Sequence, residues 1–379
     1  MKINATQYVQ QCVKPLQRIE ALSEDRFLGI DLLRCLLALG VLLWHYQFFA
    51  HNSGIQFIKH QQPLYSILDI FYSHGWQYRV QTFWCISGFI LFWKYGEGIA
   101  NKLISGKKFF IGRFSRIYPL HLVTLFLVAF FNWIYFYNNH YYFTYQNNDL
   151  GNFLLHFFLA SSWVGKGAHS FNGPVWSLSA EIPVYFIFFI FVRFLGLKAS
   201  VNYFFIGFYL LAKLANFSFP IIDCVGYFYS GGLFAIYLQQ FEKQNRNKFL
   251  SIYFVYILAI VLTGMHLLKL NQLTPVKYLL LINMMLVCFY YLSRIIKAWP
   301  RVQNLIKTMS HLTFSSYLIH FPIQIILTLF FGWLNLAIPF YSISFLTLFI
   351  AITWGVSYLS YHYFEKPLRV LIRNKFKYS

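Results

Sequence analysis

Ten stretches of this chain stay apolar over roughly the twenty residues that an α-helix needs to cross a bilayer. They cover residues 29–50, 76–95, 117–138, 180–197, 200–218, 221–239, 249–268, 277–294, 310–331 and 340–363. Hydrocarbon offers no water to backbone N–H and C=O groups, so such runs must close their hydrogen bonds internally, as helices. Composition points the same way. Only 11% of the 379 residues are charged and 58% are hydrophobic, whereas a soluble domain carries about 25% charged residues. The sequence predicts an all-α, polytopic integral membrane protein with about ten transmembrane helices. A shorter run, 150–164, lies between His140 and the Gly165-Lys166-Gly167 turn and reads as an interfacial or re-entrant helix.

The net charge of +20 is distributed as topology, not as a nucleic-acid patch. With the N terminus inside, the segments 1–28, 94–116, 193–198, 241–248, 294–307 and the C-terminal stretch from Lys366 onward hold 24 of the 31 Lys and Arg residues. Cytoplasmic loops carry such an excess, so both termini are expected in the cytoplasm and no nucleic-acid partner is expected. Counting 150–164 as a full span would put the later basic loops outside. The polar segment 1–28 shows no cleavable signal, and the first run is long enough to remain as a helix. The expected organisation is a cytoplasmic segment 1–28, a membrane domain 29–368 and a basic cytoplasmic tail 369–379. Of the five cysteines, all but Cys12 lie in apolar runs and none has CxxC spacing, so they read as free thiols and no metal site is expected.

Ionisable groups inside a membrane helix are costly and mark candidate sites. Arg34 and His45 are eleven residues apart in the first run. That is close to three helical turns, which places both on one face about 16 Å apart, with Asp31 one turn before Arg34 and able to pair with it. Snorkelling to headgroups would explain Arg34 alone, and a bonded core histidine would explain His45 alone. Together, a fixed cation and a distant imidazole could grip an anionic carrier and take a proton. Lys107, Lys108, Arg113 and Arg116 cluster at the expected cytoplasmic entrance to the third span, where phosphates or lipid headgroups suit them equally. Asn172-Gly-Pro-Val-Trp176-Ser177-Leu-Ser179-Ala-Glu181 puts a carboxylate at the expected outer mouth of the fourth span. Tyr317 and His320 are one turn apart in the ninth span, where a satisfied core histidine is the plainer reading. Glu365-Lys366-Pro367 reads as a helix stop with a local ion pair. The outer segments 46–79 and 132–149 mix aromatic rings with amides, which suits a carbohydrate face or an interfacial belt.

In their order, these motifs resemble the acyltransferase-3 family of bacterial membrane O-acyltransferases, of the surface-polysaccharide O-acetyltransferase type. The resemblance runs from Gly29 to about Leu368. It rests on Arg34 and His45 with ten residues between, on Trp84-Cys-Ile-Ser87-Gly88-Phe89, and on Arg113-Phe-Ser-Arg116-Ile-Tyr-Pro119. The Asn172–Glu181 segment, Tyr317-Leu-Ile-His320 and Phe364-Glu365-Lys-Pro367 complete it. It implies an inner-membrane enzyme that moves an acyl group, usually acetyl, from cytoplasmic acyl-CoA to an acceptor hydroxyl at the outer side. Members modify lipopolysaccharide O-antigen, capsule, peptidoglycan, exopolysaccharide or macrolides, and the acceptor expected here is a carbohydrate or lipid-linked glycan such as lipopolysaccharide O-antigen. The resemblance implies His45 as catalytic histidine, Arg34 as its essential partner and Glu181 in the active-site cavity. Arg113 and Arg116 would bind CoA phosphates, with Arg34, Lys107 and Lys108 adding to that site. Trp176, Ser177, Ser179, Asn172, Tyr317, His320 and Ser87 would line the acceptor side or cavity. Two departures stand out. Ile182 takes the place of a second carboxylate found in many members, and no esterase-like domain follows, so transfer by the membrane domain alone is expected.

The sequence leaves two enzymatic routes open, direct attack assisted by His45 and an acyl-enzyme on Ser177, Ser179 or His45. Two other classes compete. A transporter or flippase for lipid-linked sugars would fit ten spans with buried polar groups. A polyprenyl-phosphate glycosyltransferase would need an early outer carboxylate, for which Asp69 is the only acidic residue in 51–79.

Overall fold

A computed structural model describes residues 27–52, 54–73, 75–164, 169–243 and 274–376. Among these, every regular element is helical. The helices are α1 (Leu28–His45), α2 (Phe48–Asn52), α3 (Tyr65–Ser73), α4 (Gly75–Ala100), α5 (Gly106–Asn139), α6 (Leu150–Phe157), α7 (Trp176–Leu195), α8 (Ala199–Leu214), α9 (Pro220–Lys243), α10 (Thr274–Ile296), α11 (Pro300–Trp333), α12 (Ile343–Ser360) and α13 (Lys366–Lys375). Seven of the described helical segments are long and apolar enough to cross a membrane, judged by length and composition. α4 has 26 residues but carries Arg79, Lys94 and Glu97, and α8 is shorter, at 16 residues; neither is among the seven. The expected span 249–268 lies outside the described residues.

α1 is the axis of the bundle. It packs against α4, α10 and α11, while α4 packs along α9 and α5 lies against α11. The expected first span is not one helix. α1 ends at His45, and the chain turns through Tyr46 and Gln47 before α2. A helix C-terminus leaves carbonyls without partners. Here Gln324 Nε2 on α11 donates to the His45 carbonyl at 2.7 Å, and Gln47 Nε2 donates to the Tyr72 carbonyl at 3.0 Å. The short run at 150–164 is helical only over eight residues, α6, capped by Asp149 accepting from Asn152 N–H at 2.8 Å.

The α4–α9 contact brings backbones together. A Cβ on Gly88 would lie 1.8 Å from the Phe228 carbonyl oxygen, and one on Gly231 would lie 1.9 Å from that of Cys85. Small residues allow this approach, which dispersion rewards where no hydrophobic drive exists between helices. The last span also departs from expectation. No stop occurs at Glu365, because α12 passes through a π turn, Tyr361–Glu365, straight into α13. Glu365 does not turn out to Lys366. It is buried and accepts from the hydroxyls of Ser315 and Ser360.

A Gly88→Leu variant is expected to lose about 3 kcal/mol or more of stability, seen as a lower melting temperature and a lower folded yield in detergent. Gly355→Leu, where a side chain meets open space, should stay within about 0.5 kcal/mol of the parent. Equal behaviour of the two would contradict the close crossing.

Candidate active site

A cavity of about 130 Å³ opens between α1, α4, α5, α7 and α11. Its wall holds three cations, Arg34, Arg113 and Arg116, and one carboxylate, Glu181. The hydroxyls of Ser87, Ser177, Tyr185, Thr313 and Tyr317 line it too, with Val80, Phe83, Ile86 and Ile90 as apolar wall. Arg34 is fixed by α11, donating to Ser310 Oγ at 3.2 Å and Thr313 Oγ1 at 3.3 Å. Asp31 pairs with it at 3.4 Å, as the one-turn spacing predicted, and accepts from Ser310 Oγ at 2.7 Å.

Further along the same face, His45 meets His320. His45 Nδ1 lies 2.7 Å from His320 Nε2, with ring planes 6° apart. His320 Nδ1 lies 3.0 Å from the Ser316 carbonyl, which can only accept. His320 Nδ1 therefore carries its proton. The Nε2 of the neutral ring then accepts from His45 Nδ1–H, which leaves His45 Nε2 with its lone pair free to take a proton. His320 is fully buried, His45 is half-buried, and Phe48 stacks on the His45 ring with centroids 5.0 Å apart.

His45 is not part of the cavity wall. Tyr317, which is part of it, lies one turn before His320, its ring centroid 6.2 Å from that of His320. Its hydroxyl is 2.6 Å from Ser177 Oγ and donates to the Pro174 carbonyl at 2.6 Å. These hydrogen bonds tie Tyr317 to the segment that leads into α7, a long-range contact that no local spacing reveals.

Glu181 is likewise not at an outer mouth. Residues 170–175 are all buried, so α7 begins inside the bundle and turns Glu181 to the cavity of Arg113 and Arg116. The buried entry is sustained by proline chemistry. Pro183 and Pro322 lack the N–H that would bond the carbonyl four residues earlier. Trp163 Nε1 donates to the freed Ser179 carbonyl at 2.9 Å, and Asn172 Nδ2 to the freed Leu318 carbonyl at 3.1 Å. Ser179 Oγ accepts from Ser162 N–H at 2.9 Å. Ser179 and Asn172 thus hold backbone and do not line the cavity. Trp176 packs edge-on against Trp84, 5.7 Å between centroids. Lys107 and Lys108 are exposed at the start of α5, away from the cavity wall.

The sequence profile of the acyltransferase-3 family, described as an acyltransferase domain, matches residues 27–362. The chain belongs to the acyltransferase-3 family. No curated protein and no solved structure matches it. This acyltransferase is therefore a multi-pass membrane protein whose family domain takes up nearly the whole chain. Among the described residues no group of three or more His, Cys, Asp or Glu could hold a metal ion.

Two residues of the acyltransferase escaped the sequence reading. Tyr185 lines the cavity beside Glu181 and Ser87. Arg79, on α4, is buried; its guanidinium donates to the carbonyls of Gly40 and Phe71 and lies 5.7 Å from the Phe71 ring. Gly40 makes room for it, since a Cβ there would come within 2.8 Å of Arg79 Nε. The signal was present, because Arg79 is a cation inside an apolar run, the criterion that singled out Arg34.

Asn172→Ala should cost about 1–3 kcal/mol by leaving the Leu318 carbonyl unpaired. In a Pro322→Ala background the restored N–H can serve that carbonyl, so the same change should cost clearly less. Thermal melts of the four proteins measure the coupling; additive losses would contradict it.

Proposed function

We propose that this chain is a bacterial inner-membrane O-acyltransferase that moves an acyl group, acetyl in the leading reading, from acyl-CoA to a hydroxyl of a surface carbohydrate such as lipopolysaccharide O-antigen. The observation that carries it is the His45–His320 pair, with His45 Nε2 left as a base, one side chain away from a cavity whose wall holds three arginines. Arginine forks suit the phosphates of the carrier, and the apolar stretch of wall suits a pantetheine arm.

The topology of the proposal has ten spans with both termini cytoplasmic. α1 and α11 support it. Arg34 meets Ser310 and Thr313 while His45 meets His320, so the two helices run in the same direction. That requires an odd number of crossings between them, and ten spans place seven there.

In the proposed reaction the donor enters from the cytoplasm with its phosphates on Arg113 and Arg116, and its thioester passes Tyr317 to reach His45. The acceptor hydroxyl gives its proton to His45 Nε2 as its oxygen bonds to the thioester carbonyl carbon. The carbon–sulfur bond breaks, and the imidazolium returns the proton to the departing thiolate, giving the ester and free CoA thiol. His320 holds the His45 ring in the tautomer that this requires. Arg34, tied to α11, compensates the negative charge of the donor or of the developing oxyanion. An acyl-enzyme route would use Ser177, a residue of the cavity wall, or His45 itself; Ser179 is committed to the Ser162 amide.

No observation favours the rival classes. Asp69 lies half-exposed on α3 beside Lys59, at 3.9 Å, and is not in the cavity wall.

With labelled acetyl-CoA and a lipid-linked glycan acceptor, His45→Ala should lower kcat by about 10²–10⁴-fold while CoA still binds. A folded His45→Ala protein with the parental rate would remove the mechanism. His320→Leu should fall by about 10²-fold or more, and His320→Gln, which keeps an acceptor for the Nδ1 proton, should recover part of the loss. Equal activity of the two would show that the tautomer is not what His320 provides.

A further inference from the structure

α13 was expected to be a plain basic tail after a helix stop, yet it lies along α5. Arg373 Nη2 stands 4.0 Å from where a Cβ on Gly112 would be. Arg369, one turn earlier on α13, is half-buried, and its Nε is shielded from solvent with no hydrogen-bond partner. Arg113 shows the same feature at its Nε; its Nη2 donates to Tyr95 Oη at 3.2 Å, and its guanidinium lies 5.3 Å from that ring. The charges of Arg373 and Arg113 both act on Arg369, and those of Arg369, Arg113 and Arg34 all act on Arg116. Lys94 faces the same group from α4.

These side chains form a graded row. Arg373 is exposed, Arg369 is half-buried, and Arg113, Arg116 and Arg34 lie in the cavity wall. Three carboxylates face these cations: Glu365, held by Ser315 and Ser360, acts on Arg369 and Arg116, Glu181 on Arg113 and Arg116, and Asp31 pairs with Arg34, so the cations outnumber them. Like charges gathered in a partly desolvated place repel, with little screening by salt. A multivalent anion with many acceptor oxygens relieves that repulsion and fills the unused donors, and arginine forks match phosphate geometry.

The cavity itself is about 130 Å³. A whole nucleotide-sized ligand needs about 300–1,000 Å³, so the cavity can take a slim arm but not a nucleotide. The nucleotide end of a donor whose phosphates meet Arg113 and Arg116 at the wall must then extend out of the cavity, on the side where α13 adds its arginines.

We infer that Arg369 and Arg373 of α13, together with Arg113, form the surface end of a phosphate site that takes the phosphorylated nucleotide end of a CoA thioester. This assignment rests on the acyl-CoA reading above. The same chemistry could come from an anionic lipid headgroup, and the experiment separates the two.

The test uses the full chain in detergent and in nanodiscs, with Arg369→Gln, Arg373→Gln and, as a control for bulk charge, Lys366→Gln, an exposed residue of the same helix. Each arginine variant should raise KM for acetyl-CoA about tenfold, the loss of one charge-assisted hydrogen bond, with kcat nearly constant. With S-acetylpantetheine, which carries no phosphate, the variants and the parent should match. Lys366→Gln should match the parent on both donors. An unchanged KM for acetyl-CoA overturns the assignment, and so does an equal rise on both donors, which would mean a structural role. Thermal stabilisation by phosphatidylglycerol nanodiscs that is lost in the variants while KM holds assigns the row to lipid and also overturns it. Calorimetric titration with CoA separates the two readings. A parent that binds CoA about tenfold more tightly than the variants but transfers no acyl group sinks the transferase reading and keeps this site. A parent that does not bind CoA sinks both.

Discussion

The seam between α1 and α11 carries polar groups at two levels. At one level Asp31 and Arg34 meet Ser310 and Thr313; at the other His45 meets His320. Lipid gives these groups no alternative partner, so each must find its match on the neighbouring helix. Individually such interhelical bonds contribute only about 0.6 kcal/mol. Their effect is on register. A slide of α11 by one residue would break both levels at once, leaving a guanidinium and an imidazole unpaired in the bundle. The seam therefore sets the height at which every other group of the site stands.

A second constraint follows from proline. Pro183 and Pro322 each free a carbonyl, and both carbonyls are served from the segment that leads into α7, by Trp163 and Asn172. Because those partners pull the segment inward, α7 starts within the protein and carries Ser177 and Glu181 to the cavity. Tyr317, in the cavity wall, bonds Ser177 and the Pro174 carbonyl. Tyr317 thus lies next to both the arginine cavity and His320.

Much of this was legible beforehand, and the limits are physical. Apolar runs of span length marked the helices because the bilayer demands them, and the spacing of Arg34 and His45 correctly placed both on one helical face, since the helical period is local. The Asp31 pairing was local as well. What failed was long-range. The depth of Glu181 depends on a buried loop tied to α11, and the partner of His45 lies 275 residues away. The break after His45 depends on Gln324 capturing its carbonyl, and the inward turn of Glu365 depends on Ser315 and Ser360. In the Asn172–Glu181 segment the sequence showed which residue types gather, but not that Asn172 and Ser179 hold backbone while Ser177 and Glu181 face the cavity.

The central claim is that one carrier molecule reaches from the arginines to His45. The most direct measurement is a structure of the protein with a nonhydrolysable thioether analogue of acetyl-CoA. The account predicts phosphates against Arg113 and Arg116, the pantetheine arm past Ser87 and Glu181, Tyr317 swung aside, and the acyl end beside His45. An analogue that stops on the Arg34 side of an unmoved Tyr317, or that binds at the lipid-facing surface, would contradict it.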